Sequence, residues 1–346
     1  PMLRPVLVGV AAAALVAAGC AAALATRSEQ RSAPVASPAD RTVTSTSDRT
    51  STPAPVRFVT AAQVLDSAAT YSLTTATPPA GQYRYVRSHA LGVLATRGER
   101  AINVFINSID ENWISPSSTG VSYEHLQTNL NPRYVHPGDN AYLNQNAPGG
   151  APQPASYWFV NTADGHSKQV YPPASPTSCD GCDNLSVWVD PQPAGLARLP
   201  REVGALRAVL YNYATGQLSG GSYGKRLTVD DVAFGAASTV LSSPLLPDDL
   251  RAALYRVTKT IPGITLKGSL ANFDGTRGIA ISRTSSAGVE RDLIFDTAGG
   301  GYIGERTIAL KSDNEYGLPA GTVQDYTAVT TSVAAKPVLP PKASSR

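Results

Sequence analysis

The sequence predicts an α+β fold built on a large antiparallel sheet, carried behind a transmembrane helix and a disordered tether. Three observations predict it. An apolar run without charge, Pro5 to Ala25, leads straight into a Ser/Thr/Arg/Pro-rich stretch, Arg27 to Val56. Helical periodicity is confined to a segment just after Arg57 and to a group of three between Pro200 and Thr260. From Leu266 onward, short strand-forming runs alternate with Gly-containing turns, the pattern of an antiparallel meander. The chain then divides into residues 1–26 (anchor or signal), 27–56 (tether), 57–334 (one α+β domain) and 335–346 (a disordered tail with Pro337, Pro340 and Pro341).

At about 1.5 Å per residue, Pro5 to Ala25 is long enough to cross a hydrocarbon core of roughly 30 Å. Gly9 and Gly19 do not oppose a span, because glycine is common in membrane helices. Two other readings stand beside the retained anchor. Arg4 and Pro5 to Val16 have the layout of a cleaved signal. Ala17-Ala18-Gly19-Cys20 has the layout of a lipoprotein signal, with Cys20 as the lipidated residue, although Ala21 to Ala25 stays apolar where a mature lipoprotein turns polar. Arg27 and Arg31 outnumber Arg4 across the segment, but long domains are translocated largely regardless of flanking charge. The expected location is the cell membrane, single-pass, with the globular part outside the cytoplasm. The tether has almost no large apolar residue and cannot offset the entropy of ordering.

Thr60 and Gln63 form a capping box for a first helix with an apolar stripe at Val64, Leu65, Ala68 and Ala69. Gln82 to His89, Ala101 to Ser108 and Glu111 to Ser115 read as strands. Pro116 to Asp183, rich in Asn, Gly and Pro, reads as loops holding the short strand Ser156 to Val160; Leu185 to Val189 follows as another. Helices are expected at Pro200 to Tyr213, at Val232 to Leu241 behind a Thr228/Asp231 cap, and at Pro247 to Thr260 behind Asp248-Asp249. Strands at Leu266 to Leu270, Arg277 to Arg283, Val289 to Asp296, Tyr302 to Leu310 and Gly321 to Val333 complete the sheet. One apolar face is expected from Ile279, Ile281, Leu293, Phe295, Ile308 and Leu310, covered by the helices between Pro200 and Thr260.

Three stretches, LPDDLRAALYRVTKTIPGI (246–264), DGTRGIAISR (274–283) and RDLIFDTAGGGYIGERTI (291–308), resemble an uncharacterised actinobacterial family of membrane-anchored extracytoplasmic proteins. RFVTAAQVLDSAAT (57–70) and LARLPREVGALRAVLY (196–211) are similar to it as well. The resemblance covers most of Arg57 to Val333; its motifs are structural and carry no catalytic residue. Members of that family usually place a cytoplasmic segment before the membrane helix, and the sequence departs from the pattern there. The IFDTAGGGYIGE hairpin also resembles lipoprotein-carrier and sigma-regulator sheets, which implies a curved, half-barrel-like sheet with helices packed on one face.

Charge and motifs exclude more than they assign. With 29 Lys+Arg against 26 Asp+Glu the net charge is +3, which is no nucleic-acid footprint. Cys179 and Cys182 form a CxxC; a disulfide is the simplest outcome in an oxidising compartment, with free thiols or a metal as alternatives. His89, His125, His136 and His166 lack ligand spacing and read as surface or loop residues. Gly220-Gly221-Ser222-Tyr223-Gly224 matches GxSxG but lacks the preceding strand of a nucleophile elbow. Gly299-Gly300-Gly301 lacks the Lys-Ser/Thr of a phosphate loop. Asp230-Asp231 and Asp248-Asp249 suit helix starts, and Trp113, Trp158 and Trp188 suit a core, with a binding groove as the alternative. No catalytic, cofactor or metal residue is assigned. The expected function is a tethered, non-enzymatic domain that binds an apolar ligand or senses envelope state, with the membrane and a lipid or envelope protein as partners. The alternative is an exported hydrolase using Ser222 or a site dispersed over loops.

Overall fold

The computed structural model describes residues 58–96, 102–117, 120–146, 150–162, 167–171, 186–220, 226–298, 300–312 and 318–340. The membrane run, the tether, Cys20, Cys179, Cys182, His166 and Ser222 lie outside them. No helix among the described residues is long and apolar enough to cross a membrane.

Helix α1 (Ala61–Thr74) opens with the expected capping box: Thr60 accepts from the Gln63 amide, and the Gln63 side chain reaches back to the Thr60 amide. Five strands follow, β1 (Tyr83–Thr96), β2 (Ile102–Ile114), β3 (Ser122–Tyr134), β4 (Ala155–Asn161) and β5 (Ser167–Tyr171), with α2 (Asp139–Asn146) between β3 and β4. Four helices come next: α3 (Pro193–Arg198), α4 (Val203–Ser219), α5 (Val229–Ser242) and α6 (Asp248–Thr258). The chain ends in β6 (Thr265–Ala271), β7 (Arg277–Thr284), β8 (Val289–Phe295), β9 (Tyr302–Ala309) and β10 (Thr322–Ala334).

The described strands form one 10-stranded antiparallel sheet in the order β5-β4-β3-β2-β1-β10-β9-β8-β7-β6. It is open, with β5 and β6 as its edges, and the fold is α+β. The first meander runs outward from the centre to β5. The helices then carry the chain to the other edge, and the second meander runs back until β10 pairs with β1 over Tyr83↔Ala334 to Gly92↔Asp325.

Paired residues share a face, so the register sorts the side chains. Ile281 pairs with Leu293 and Ile279 with Phe295. Ile281, Leu293 and Phe295 are fully buried and share one core with α1 and α3–α6, including Leu206, Leu210, Leu250 and Leu254. Phe295 meets Tyr255 edge-on at 5.6 Å and Tyr302 at 6.2 Å. On the same face, α2 sets Leu143 against Ile102, Val104 and Ile106. We call this the helix face.

Three expectations need correction. Ile308 pairs with Glu290 and so lies on the opposite face, with Leu310 44% exposed; β9 presents Glu305, Thr307 and Ala309 to the helix face instead. Hydrophobic alternation there follows the other side of the sheet. Among the described residues, Pro116 to Asp183 is not chiefly loop: β3 is a full central strand. Its misleading Asn residues include Asn129 and Asn131, which take positive φ beside two register shifts against β2, a conformation asparagine tolerates. Val187 to Val189 form a turn, not a strand, because Trp188 is drawn into the helical core against Tyr213.

The turn after β6 reaches well across the sheet. The Asn272 amide donates to the Ile303 carbonyl at 2.8 Å, and the Tyr326 hydroxyl donates to the Ala271 carbonyl at 2.5 Å. Asp274 lies 2.6 Å from His89 Nδ1 on β1, and Phe273 packs between His89 and Tyr326.

Candidate functional site

Three features have the chemistry of a site: a cavity under the helices, a set of buried carboxylates, and an aromatic–histidine network on the uncovered face.

The cavity arises where β9 and β10 part. Their pairing ends at Ala328↔Gly304, whereas β10 continues to Ala334 with β1 alone beside it. Gly304 sits at the fork with φ 149°, and a Cβ there would lie 2.1 Å from the Thr327 carbonyl oxygen, so only glycine closes the last pair. Beyond it opens a space of about 340 Å³. Arg84, Val86, Tyr302, Ile303, Val329 and Thr331 line it from the strands; Tyr71, Ser72, Arg251 and Tyr255 line it from α1 and α6. Its cations are already engaged. Arg84 Nη1 is 2.7 Å from Asp248 Oδ1, which pins β1 to the start of α6. Arg251 donates to the Leu241 and Ser243 carbonyls at 2.5 and 2.8 Å, so it caps the end of α5; burial lowers its pKa.

The carboxylates lie on the helix face of the central strands. In the first meander Asp110 is pushed up to about 7 by burial. Glu124 is pushed up to about 8 by burial first and then by the charges of Asp110 and Asp190. Asn112 and Asn161 beside them are buried. In the second meander burial raises Glu305 to about 7 and Asp325 to about 6, with Arg291 opposing both shifts. Next to them, Gln324 is buried at the β10 bulge with neither amide atom hydrogen-bonded, and so is the Thr307 hydroxyl.

The network crosses the other face of the first meander. Glu111 pairs with His125 and His125 with Trp158, while Ser156 pairs with Gln127 one step along β4. His125 Nδ1 is 2.9 Å from Glu111 Oε2, and His125 Nε2 is 3.0 Å from Ser156 Oγ. The Tyr85 hydroxyl donates to the other Glu111 oxygen at 2.5 Å; burial and then this carboxylate push Tyr85 up to about 12. The imidazole stacks on Trp158 at 4.3 Å and 8°, with Trp113 stacked on Trp158 at 5.7 Å and Tyr85 tilted against Trp113 at 5.0 Å.

Other expected residues have structural roles. Asp231 closes the α5 capping box and meets Arg283 in a buried ion pair; Ser286 donates to it as well. Asp230 accepts from the Tyr211 hydroxyl at 2.7 Å, and Asp249 lies 3.2 Å from Arg201. His89 faces Asp274, and His136 is held by its backbone N–H to Asp139. His125 departs from the surface-loop expectation, because it sits mid-strand in a three-strand network. Trp113 and Trp158 depart from the core expectation, because they are half-buried on the uncovered face. Sequence reading missed the network for want of a short motif: Glu111, His125 and Ser156 are separated by 14 and 31 residues and meet only through strand register. Among the described residues, no group of His, Cys, Asp or Glu is arranged to hold a metal.

No family model matches the chain, and no curated protein does. Among solved structures, it is similar to a DUF1329 family protein from Desulfovibrio piger at 10% identity, with a TM-score of 0.20 over 80% of this chain and 94% of that one.

Proposed function

We propose that the chain is a membrane-tethered binding domain held outside the cytoplasm, taking an apolar or amphiphilic ligand in the cavity between α1, α6 and the forked strands. The observation that carries this reading is the fork itself. A sheet whose strands stay paired leaves no space under tightly packed helices, whereas this one parts beside Gly304 and opens about 340 Å³. That volume falls in the range of small-molecule sites, which are mostly apolar with a few fixed polar groups. Val86, Val329, Ile303 and the Tyr71 and Tyr302 rings give the apolar part, and Arg84 and Asp248 stand among the polar groups.

Five strand steps separate β6 from β1, or about 24 Å in a flat sheet at roughly 4.8 Å per step. The contacts of Phe273 and Asp274 with His89 require the sheet to curl. Because His89 and Tyr326 lie on the face opposite the helices, the curl is toward that face, with the helices on the convex side rather than in the mouth of a half-barrel. The membrane anchor Pro5 to Ala25 and the tether to Val56 would hold the cavity near the bilayer, a source of apolar ligands.

Native mass spectrometry of the full chain extracted from membranes tests this. The expected result is a mass above that of the polypeptide, lost in Val329→Trp, which fills the cavity from a buried position. The same variant should weaken binding of an apolar fluorescent probe by about tenfold, the scale of one buried side chain's contribution, with an unchanged circular dichroism spectrum. A bare polypeptide mass together with equal probe binding by both proteins would end this reading.

A further inference from the structure

We infer that the uncovered face of the first meander carries a serine nucleophile, Ser156, activated by His125 and Glu111 for the hydrolysis of carboxylic esters. This goes beyond the ligand-binding reading, uses the opposite face of the sheet, and can fail or stand independently of it.

The geometry has the three parts of an activated nucleophile: a hydroxyl in hydrogen-bond reach of a base, and the base oriented by a third group. Ser156 Oγ lies 3.0 Å from His125 Nε2, and His125 Nδ1 lies 2.9 Å from Glu111 Oε2. A carboxylate can only accept, so Nδ1 carries the proton and Nε2 offers its lone pair to the serine. The imidazole has little freedom to turn, since Trp158 stacks flat on it at 4.3 Å. Glu111 is held in turn by the Tyr85 hydroxyl at 2.5 Å. Ser156 itself is exposed, so a substrate can reach it. The ring is thus fixed by Trp158 on its face and by Glu111 at Nδ1, and its remaining nitrogen is left to an exposed hydroxyl.

The step balances without a cofactor. Ser156 Oγ adds to the ester carbonyl carbon as its proton passes to His125 Nε2. Gln127, directly across from Ser156 on β3, is placed to donate an amide N–H to the developing oxyanion. Collapse breaks the carbon–oxygen bond to the alcohol, and Nε2 returns the proton to that oxygen. Water then repeats the sequence on the acyl-serine, releasing the acid and restoring Ser156. Trp158, the next residue along β4 on the same face as Ser156, favours an aryl or apolar group on the ester.

The test is labelling of the full chain by a fluorophosphonate, with the adduct located by peptide mass spectrometry, and turnover of an aryl acetate. Labelling is expected at Ser156. It should vanish in Ser156→Ala and slow on the order of 100-fold in His125→Gln, the usual contribution of a positioned base. It should persist in Ser222→Ala, the serine of the GxSxG sequence. Glu111 is a positioning residue: Glu111→Gln should lower kcat with KM held, and Glu111→Asp should restore part of the rate, which a merely structural role would not do. All variants are checked for an unchanged melting profile; where His125→Gln fails that check, His125→Asn replaces it. No adduct on the folded wild-type chain, or an adduct at Ser156 that forms equally fast without His125, would overturn the inference.

Discussion

The two meanders share one sheet and one hydrogen-bonding scheme, yet they spend their helix faces differently. In the second meander β7 and β8 carry Ile281, Leu293 and Phe295 there, all fully buried under α1 and α3–α6, and only β9 and β10, next to the first meander, carry the carboxylates Glu305 and Asp325. In β1–β5 the helix face carries Asp110, Asn112, Glu124 and Asn161 at its centre, with Val86 and Leu126 buried among them and the small cluster around Leu143 and Val104 to one side. The reverse faces differ in the opposite sense. Behind β7–β9, Asp292 is wholly buried and bound through one oxygen by Arg306 Nε and Nη2 at 3.0 and 2.7 Å. Behind β2–β4, the Tyr85, Trp113, Trp158 and His125 rings lie half-open to solvent. Apolar burial supplies most folding free energy, so the second meander with its helices is the stabilising half. Buried carboxylates cost stability, and groups with such perturbed pKa values cluster where chemistry or binding needs them.

The sharpest way to break this contrast is to place a charge in each half. Phe295→Asp buries a carboxylate among Tyr255, Tyr302 and the helical core. It should abolish the cooperative melting transition, because even truncation of a buried Phe costs about 3–5 kcal/mol. Tyr157→Asp, at a half-buried position of β4 in the other half, should leave a folded protein with a lowered Tm. Equal loss of structure in both variants would show that the halves are equally responsible for the fold.

A second test asks how the helices are fastened to the stabilising half. Asp231 closes the α5 capping box, pairs with Arg283 of β7 and accepts from Ser286 in the next turn. Those hydrogen bonds and the Arg283 guanidinium outweigh desolvation and hold its carboxyl at about 2, although burial is the largest single effect and opposes them. Asp231→Ala leaves a buried guanidinium without its partner, so urea unfolding should show a loss of about 3–5 kcal/mol. A loss below about 1 kcal/mol would mean that apolar contact alone seats α5 on the sheet.

What the sequence disclosed follows the same division. The longer helices α1 and α4–α6, the caps at Thr60 and Thr228 and the hairpins of β6–β10 were legible, because periodicity, capping residues and Asp-Gly or Ala-Gly turns are local signals, whereas the short helices α2 and α3 were not. The first meander was legible only in part. β3 carries Asn129, Asn131 and Pro132 within a strand, which local reading assigns to a loop, and only pairing with β2 and β4 overrides them. The sites were less legible still. The fork at Gly304 depends on where two distant strands stop pairing, and the His125 network depends on register across β2, β3 and β4. Cross-strand neighbours leave no fixed spacing in the sequence. The Ile308 and Leu310 assignment failed for a related reason: a one-residue change of parity exchanges faces, and the face under the cavity was the polar one.

The smallest expected effect sharpens the contrast through pH. Asp110, Glu124, Glu305 and Asp325 have folded-state pKa values of about 7, 8, 7 and 6, above the usual carboxyl range of about 4. Between those limits the folded state binds more protons than the unfolded chain, so stability falls as pH rises. Their contribution is fully present below about pH 4 and is lost on passing through pH 6 to 8. Asp231 acts in the opposite sense, since its depressed pKa gives stability that is lost as pH falls from about 4 toward 2. Stability should therefore peak near pH 4 and decline toward pH 8. Glu124→Gln removes the most strongly raised carboxyl and relieves its repulsion with Asp110 and Asp190. Calorimetry should show Tm raised by about 2–4 °C at pH 8, the shift that about 1 kcal/mol gives a domain of this size, and little changed at pH 5. A variant whose Tm moves equally at both pH values would show that Glu124 is ionised throughout and that the first meander does not store its cost in buried carboxylates.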